Sequence, residues 1–241
     1  MTALLTPRRR RGTEYLDDPG VDGSVTVRSL ADVARANQLF GGTSAALAEL
    51  RIALHELGAP DGGREVILLD VGTGMGDIPA RARKVAAEAG VSLVTVGVDA
   101  SEPLARAAAC DAFPTARADA LALPFADDSV DIAMCSQLLH HFEGDSALAI
   151  IRELDRVARH RAIVSDLRRS WLAAAGIWLA SFPLRFHPVS RHDGVVSVLR
   201  GFTRGELEGM VESAVRGHAR VRYRAAFRAT AAWTPTRTGG R

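Results

Sequence analysis

Lysine is almost missing from this chain: of 30 basic residues only Lys84 is lysine, and the rest are arginine. With a net charge of only +2, this excludes the broad basic face that general nucleic-acid binding requires. The arginine excess accompanies abundant alanine and reads as genomic base bias. Cysteine is nearly absent too. Cys110 and Cys135 lie far apart in apolar settings, so no disulfide frame or metal-ligand spacing exists, and both read as core thiols. No metal is expected. Long hydrophobic runs are lacking: Trp171 to Leu184, the longest mostly apolar stretch, has 14 residues, too few to span a bilayer. An uncharged apolar core of signal-peptide length is also missing near the N-terminus. The expectation is a cytoplasmic protein without stable membrane insertion. No internal repeat is present.

What is present is enough chain, 241 residues, for one domain with additions and a large core. Residues 1–25, with the basic run Arg8 to Arg11, read as a flexible, solvated tail. Residues 26–241 read as the folded domain. Ser29 is placed to cap a first helix running to Phe40, with Asp32 in a capping-box-like position and Gly41-Gly42 as its stop. A second helix starts near Thr43 and carries Leu47, Leu50, Leu54 and Leu57 on one stripe, with Gly58 and Pro60 ending it.

The centre of the sequence is Glu65 to Asp77. Val66 to Leu69 has the continuous apolar pattern of a strand buried on both faces. It leads into Asp70-Val71-Gly72-Thr73-Gly74-Met75-Gly76, and Ile78 to Ala89 then reads as a helix that tolerates Pro79 in its first turn. Glycine suits a sharp turn that a ligand approaches closely. The spacing is G-x-G-x-G, whereas a dinucleotide loop has G-x-G-x-x-G and a P-loop ends in Gly-Lys-Ser/Thr. Asp77, next to the last glycine, further disfavours a phosphate. An acid followed by this loop resembles motif I of the class I S-adenosylmethionine (SAM) methyltransferases.

The rest of the chain follows the order that the resemblance implies. A second strand, Val91 to Val98, ends in Asp99, where a carboxylate either accepts from both ribose hydroxyls or supplies the N-terminal charge of a helix beginning at Ser101 and Pro103. After a short third strand, Thr115 to Ala118, Asp119 and the backbone N–H of Ala120 match the positions that read the adenine edge in such enzymes. Strand four, Val130 to Cys135, is followed by Ser136-Gln137-Leu138-Leu139-His140-His141-Phe142. This segment is similar to that of small-molecule methyltransferases related to the ubiquinone and menaquinone C-methyltransferases. It lacks the Asn/Asp-Pro-Pro-Tyr/Phe motif of enzymes that methylate flipped-out bases, so a nucleic acid is not expected as acceptor. A helix from Asp145 and a fifth strand, Arg161 to Val164, lead to Asp166. The family's Pro-Gly-Gly turn before that strand is replaced by Ala158-Arg159-His160-Arg161.

Residues 170–200, holding Trp171, Trp178, Phe182 and Phe186, interrupt the alternation as a helical lid over the acceptor or as plain aromatic core. Thr203 to Glu206 forms a capping box. Ala219 to Ala225, with Arg220, Arg222 and Arg224 on an outer face, and Phe227 to Trp233 read as a hairpin.

The expectation is thus an α/β fold: a doubly wound, Rossmann-like, seven-stranded sheet with a reversed C-terminal hairpin, N-terminal helices and an inserted helical lid. The resemblance implies SAM as cofactor and S-adenosylhomocysteine as product, with contacts from Asn37, Asp70, Gly72, Thr73, Gly74, Asp99, Ala100, Asp119, Ala120 and Ser136. It implies methyl transfer to oxygen or carbon of a small phenolic or polyketide-like acceptor. His140, His141 and Asp166, with His192 in reserve, are the candidate catalytic groups. A protein or nucleic-acid methyltransferase, or a SAM-binding module without catalysis, are the competing readings. A monomer or homodimer is expected.

Overall fold

The computed structural model describes residues 6–10, 12–17, 20, 22–58, 64–101 and 113–236. Seven strands are present among them: β1 (Val66–Val71), β2 (Leu93–Asp99), β3 (Thr115–Arg117), β4 (Val130–Ser136), β5 (Ala158–Leu167), β6 (Arg220–Arg224) and β7 (Arg228–Trp233). They form one sheet in the order β3-β2-β1-β4-β5-β7-β6. The first five are parallel and β7 runs antiparallel to both β5 and β6. This is the doubly wound sheet with a reversed hairpin that the alternation implied.

Seven α-helices accompany it among the described residues: α1 (Gly23–Leu39), α2 (Gly42–Leu57), α3 (Asp77–Glu88), α4 (Gly144–Val157), α5 (Trp171–Ala180), α6 (Pro188–Arg200) and α7 (Arg204–Ala214). The apolar stripe of α2, through Leu47, Leu50 and Leu54, packs with Ile78, Ala82 and Val85 of α3 on one face of the sheet. The other face is covered by Ile150, Ile151 and Leu154 of α4 and by Leu207 and Val211 of α7. Thr203 and Glu206 form the expected capping box at the start of α7. The helix expected after Ser101, Cys110 and the Pro60 stop lie outside the described residues. Cys135 is a free, fully buried thiol, and burial pushes its pKa well up.

Several expectations change in detail. Helix α1 begins six residues before Ser29, capped by the Asp22 carboxylate, which accepts from the N–H of Ser24 and Val25. Ser29 and Asp32 are instead buried within it. The Asp32 carboxylate faces α6, where Oδ2 accepts from His187 N at 2.7 Å and Ser190 Oγ at 2.9 Å. Strand β5 starts directly at Ala158, where α4 stops, and continues to Leu167. The missing Pro-Gly-Gly turn is therefore absorbed by a direct helix-to-strand junction. The arginines of β6 do not all form a solvated face: Arg222 and Arg224 pair with Glu49, a carboxylate of α2 that is 1% exposed and also accepts from Thr230 Oγ1.

The N-terminal stretch runs over the body where it is described. Arg9 donates from Nε to Arg200 O at 2.8 Å and lies over the Phe202 ring, and Arg169 Nε donates to Pro7 O at 2.7 Å. Tyr15 N and Leu16 N donate to the two oxygens of Asp193. Helices α5 and α6 form the insertion, with a small core of Leu167, Ala174, Val198 and Leu199. Of its four aromatics only Phe186 is buried, while Trp171, Trp178 and Phe182 are exposed. Aromatic core packing thus describes Phe186 alone. No helix among the described residues is long and apolar enough to cross a membrane.

Candidate functional site

The glycine loop leaves the carboxyl end of β1, beside the carboxyl ends of β2 and β4, where open α/β sheets bind ligands. Gly72, Gly74 and Gly76 all have positive φ, of 72°, 54° and 76°, a conformation that side-chain-bearing residues rarely adopt. Among the described residues a Cβ built on Gly74 meets nothing within 4 Å, so the loop faces open space there. A Cβ on Gly97, which pairs with Asp70 across β1 and β2, would lie 2.9 Å from Phe113 and 3.0 Å from Thr73. Glycine at 97 therefore makes room for the loop.

Two acids hold this loop. Asp70 Oδ2 accepts from Thr73 Oγ1 at 2.9 Å, while the buried Oδ1 has no partner among the described residues. Burial raises the Asp70 pKa to about 7, repulsion from Asp77 and Asp99 adding to it and the Thr73 bond opposing it. Asp99 Oδ2 accepts from Gly74 N at 3.0 Å, and Oδ1 accepts from Ser101 N at 2.8 Å. The carboxylate therefore ties the loop to the end of β2, with Ala100 exposed beside it. Asp119 is exposed and accepts from Leu121 N through Oδ1, and Ala120 follows in the same turn. Ser136 ends β4 with a buried hydroxyl that has no partner among the described residues. Open space before Gly74, two unsatisfied buried oxygens and acids on neighbouring strand ends suit a polar ligand that carries positive charge.

A separate cavity of about 300 Å³ lies between α1, α5, α6 and the turn joining β6 to β7. Its wall is mostly apolar, with Val33, Phe40, Leu172, Ile177, Phe186 and Phe227, and Asn37 and Gln137 contribute amides. Gln137 sits directly after β4 with φ of 53°. Asn37 and Gln137 both approach Gly42, where an added Cβ would lie 3.3 Å from Asn37 Oδ1 and 2.5 Å from Gln137 Nε2.

The structure joins two of the four catalytic candidates directly. His140 Nδ1 lies 2.8 Å from Asp166 Oδ1, and His140 N donates to Asp166 Oδ2 at 3.1 Å. Burial alone would raise the Asp166 pKa, but attraction to His140, the hydrogen bonds from His140 and Leu167 N, and His141 together hold it below the ordinary value. His141 is exposed and its ring lies 4.2 Å from that of His140. His192 stands apart: its Nδ1 meets Asp193, its ring packs on Tyr15, and it lines a different surface pocket with Arg10 and Trp178. The reserve role given to His192 is not supported by this placement, because those two contacts keep the ring outside the apolar cavity.

The sequence reading did not single out Glu14 as part of this site. Glu14, in the presumed tail, is 5% exposed, lines the cavity and places Oε1 3.8 Å from His140 Nε2. It also accepts from Ser197 Oγ at 2.8 Å and from Arg200 Nη1 at 3.0 Å. Nothing local marks it, since its partners are 126 to 186 positions away in the chain. Glu14, His140 and His141 bring ligand-type atoms within 4.8 Å of one another. Arg200 Nη1, however, is already 3.0 Å from Glu14 and 3.4 Å from His141 Nδ1, and a fixed guanidinium there opposes a metal cation.

Comparison with known proteins agrees with this geometry. The sequence profile of a methyltransferase domain matches residues 69–165. An uncharacterized methyltransferase of Mycobacterium leprae is 36% identical over 140 residues, which cover 57% of this chain and 48% of that protein. The chain thus aligns with about half the length of the curated relatives it matches. Among solved structures, a SAM-dependent methyltransferase from Aquifex aeolicus has a TM-score of 0.57 at 17% identity, covering 84% of this chain and 98% of that one. Magnesium protoporphyrin IX methyltransferase from Synechocystis, with bound S-adenosylhomocysteine, has a TM-score of 0.57 at 15% identity, covering 91% and 90%. At such identities these two structures speak for the fold.

Proposed function

We propose that this chain, which matches a methyltransferase domain over residues 69–165, is a class I SAM-dependent methyltransferase that transfers the methyl group of SAM to oxygen or carbon of a small, apolar acceptor of phenolic or polyketide-like type. The observation that carries the small-molecule part is the apolar cavity of about 300 Å³ beneath the insertion, a volume at the lower end of the range for small-ligand pockets. Asp32 links α1 to the insertion beside this space, and an apolar wall of that size suits a small acceptor.

In this reading the loop Gly72 to Gly74 lies against the cofactor, with Asp99 and Ala100 at its ribose and Asp119 and Ala120 at its adenine. Asp70, Thr73, Ser136 and Asn37 complete its surroundings. The bound cofactor supplies an electrophilic sulfonium methyl group. The work left to the protein is to align the acceptor and to exclude water. Gln137, an amide in the cavity wall, orients the polar end of the acceptor. Asp166 orients the His140 ring through Nδ1, and Nε2 lies 3.8 Å from Glu14 Oε1. In this reading Glu14, the carboxylate in the cavity wall, takes up the acceptor's hydroxyl proton, with His140 and Asp166 behind it.

Calorimetry with SAM and S-adenosylhomocysteine, followed by radiolabelled methyl transfer across a panel of phenols and β-dicarbonyl compounds, tests the proposal. Cofactor binding with turnover of some panel members is expected. Binding without turnover across all acceptor classes would favour the non-catalytic module.

A further inference from the structure

We propose that the acceptor carries a carboxylate or an equally compact anionic group, and that Arg228 is the residue that pairs with it. The inference rests on the methyltransferase reading for the word acceptor, and on the structure for the charge.

Arg228 is the first residue of β7, opposite Leu167 at the end of β5, and it lines the apolar cavity. Its side chain has one hydrogen bond, from Nε to Phe40 O at 3.0 Å. Among the described residues its two Nη groups have no acceptor and no ion-pair partner, although the residue is only 5% exposed. A buried cation without a partner is costly, and it persists where a ligand supplies the counter-charge. Burial pushes the guanidinium pKa down to about 10, with attraction to Asp166 opposing. Asp166 itself is occupied by the ring and backbone of His140 and by Leu167 N.

The acids of the cavity wall do not meet this charge. Glu14 is held by Ser197 and Arg200, Asp32 by His187 N and Ser190, and Asp193 by Tyr15 N, Leu16 N and His192. An apolar cavity with one unmatched guanidinium suits an apolar body bearing an anion. A forked pair of N–H donors is also the geometry that recognises a carboxylate. A neutral phenol would leave the cation buried and unpaired.

The same chemistry exists on the methionine end of the cofactor, so the test separates the two sources. Calorimetry on the full chain saturated with S-adenosylhomocysteine compares benzoate with benzamide, 3-phenylpropanoate with its amide, and 2-naphthoate with its amide, at fixed ionic strength. At least one carboxylate should bind about tenfold or more tightly than its amide, as a charge-assisted pair implies. That preference should vanish in Arg228→Gln and persist in part in Arg228→Lys, with the affinity for S-adenosylhomocysteine unchanged. No carboxylate preference in any wild-type pair would overturn the proposal, and this comparison needs no variant to fold. A preference that survives Arg228→Gln would also overturn it, as would a selective loss of S-adenosylhomocysteine affinity, which would assign the anion to the cofactor. Should wild-type protein bind neither SAM nor S-adenosylhomocysteine, the methyltransferase reading fails instead, and the same pairs titrated into the ligand-free chain still report on Arg228.

Discussion

His140 Nδ1 and Asp166 Oδ1 are 2.8 Å apart, with both side chains withdrawn from solvent. The two residues lie 26 positions apart and meet because β4 and β5 are parallel neighbours, with Ser136 opposite Ser165 at their carboxyl ends. The pair holds the ring by Nδ1, and the other ring nitrogen, Nε2, lies 3.8 Å from Glu14 Oε1 rather than in bulk water.

If Glu14, backed by this pair, takes up the acceptor's proton, His140→Ala and Glu14→Gln should each lower kcat by about 10²–10⁴-fold, with cofactor affinity kept. Asp166→Asn should lower kcat too and alter its pH dependence, because the amide no longer stabilises a charged ring. Turnover of an identified acceptor by all three variants at the wild-type rate and pH profile would remove the proton-transfer role and leave positioning as the source of catalysis.

Gly74→Val should abolish cofactor binding while leaving the thermal transition in place. An added Cβ meets nothing within 4 Å among the described residues, so the side chain would extend into the open space before the loop, although the positive φ of 54° adds local strain of about 1–2 kcal/mol. Calorimetry with S-adenosylhomocysteine decides it, and near-normal affinity would move the cofactor away from this loop.

Asp99→Ala should weaken cofactor binding by about 1.5–3 kcal/mol, the usual contribution of hydrogen bonds to a charged group. Asp99 also ties Gly74 N to Ser101 N, so some loss of stability accompanies it. Unchanged affinity with lowered stability would make this carboxylate a structural tie alone.

The loop and the sheet were legible because their signals are local. A strand buried on both faces, an acid and three alternating glycines occupy adjacent positions, and the apolar strands recur in order. His140 and Asp166 could be paired from the positions of two strand ends. Glu14 and Arg228 could not. Glu14 sits in a polar stretch that reads as solvated tail, and its burial follows from Arg200 and Ser197 on α6. Arg228 falls in the second hairpin strand, Phe227 to Trp233, where nothing in the sequence singles it out. Its burial follows from α1 and the insertion closing over the end of β7, with Phe40 O accepting its hydrogen bond. Asp32 was misassigned for the same reason: its partners are on α6, and a capping reading used only its neighbours in sequence.

Asp32→Ala should loosen the insertion from α1. Two donors, His187 N and Ser190 Oγ, lose their acceptor, at a cost of about 1–3 kcal/mol for a buried group left unmatched. Hydrogen exchange should quicken along α6 and remain slow in β1 and β4. Equal protection of α6 in wild type and variant would show that the small core around Leu167 and Val198 holds the insertion by itself.

Asp70 gives the chain an unusual pH dependence. Its pKa is 3.8 as an unperturbed carboxyl and about 7 in the fold, so between those values the folded chain holds one proton more than the unfolded chain. Stability contributed by this group is therefore complete below about pH 4 and declines as pH rises towards 7, by about 4 kcal/mol at most if each pKa unit counts roughly 1.4 kcal/mol. The depressed carboxyls, Asp131, Glu153, Asp166 and Glu206, act in the opposite sense. Their stabilisation is complete above their unfolded values and is lost only as pH falls through the lower folded ones, so between pH 5 and 7 they leave the Asp70 slope visible. Asp70→Asn keeps the shape, retains an oxygen for the Thr73 hydroxyl, and cannot ionise. Urea unfolding at pH 5 and pH 7 should show the ligand-free wild type losing stability across that interval while Asp70→Asn loses much less. Parallel declines in the two proteins would mean that the Asp70 carboxylate is solvated by something beside the glycine loop, and that its burial is not what makes the loop hospitable to a positively charged ligand.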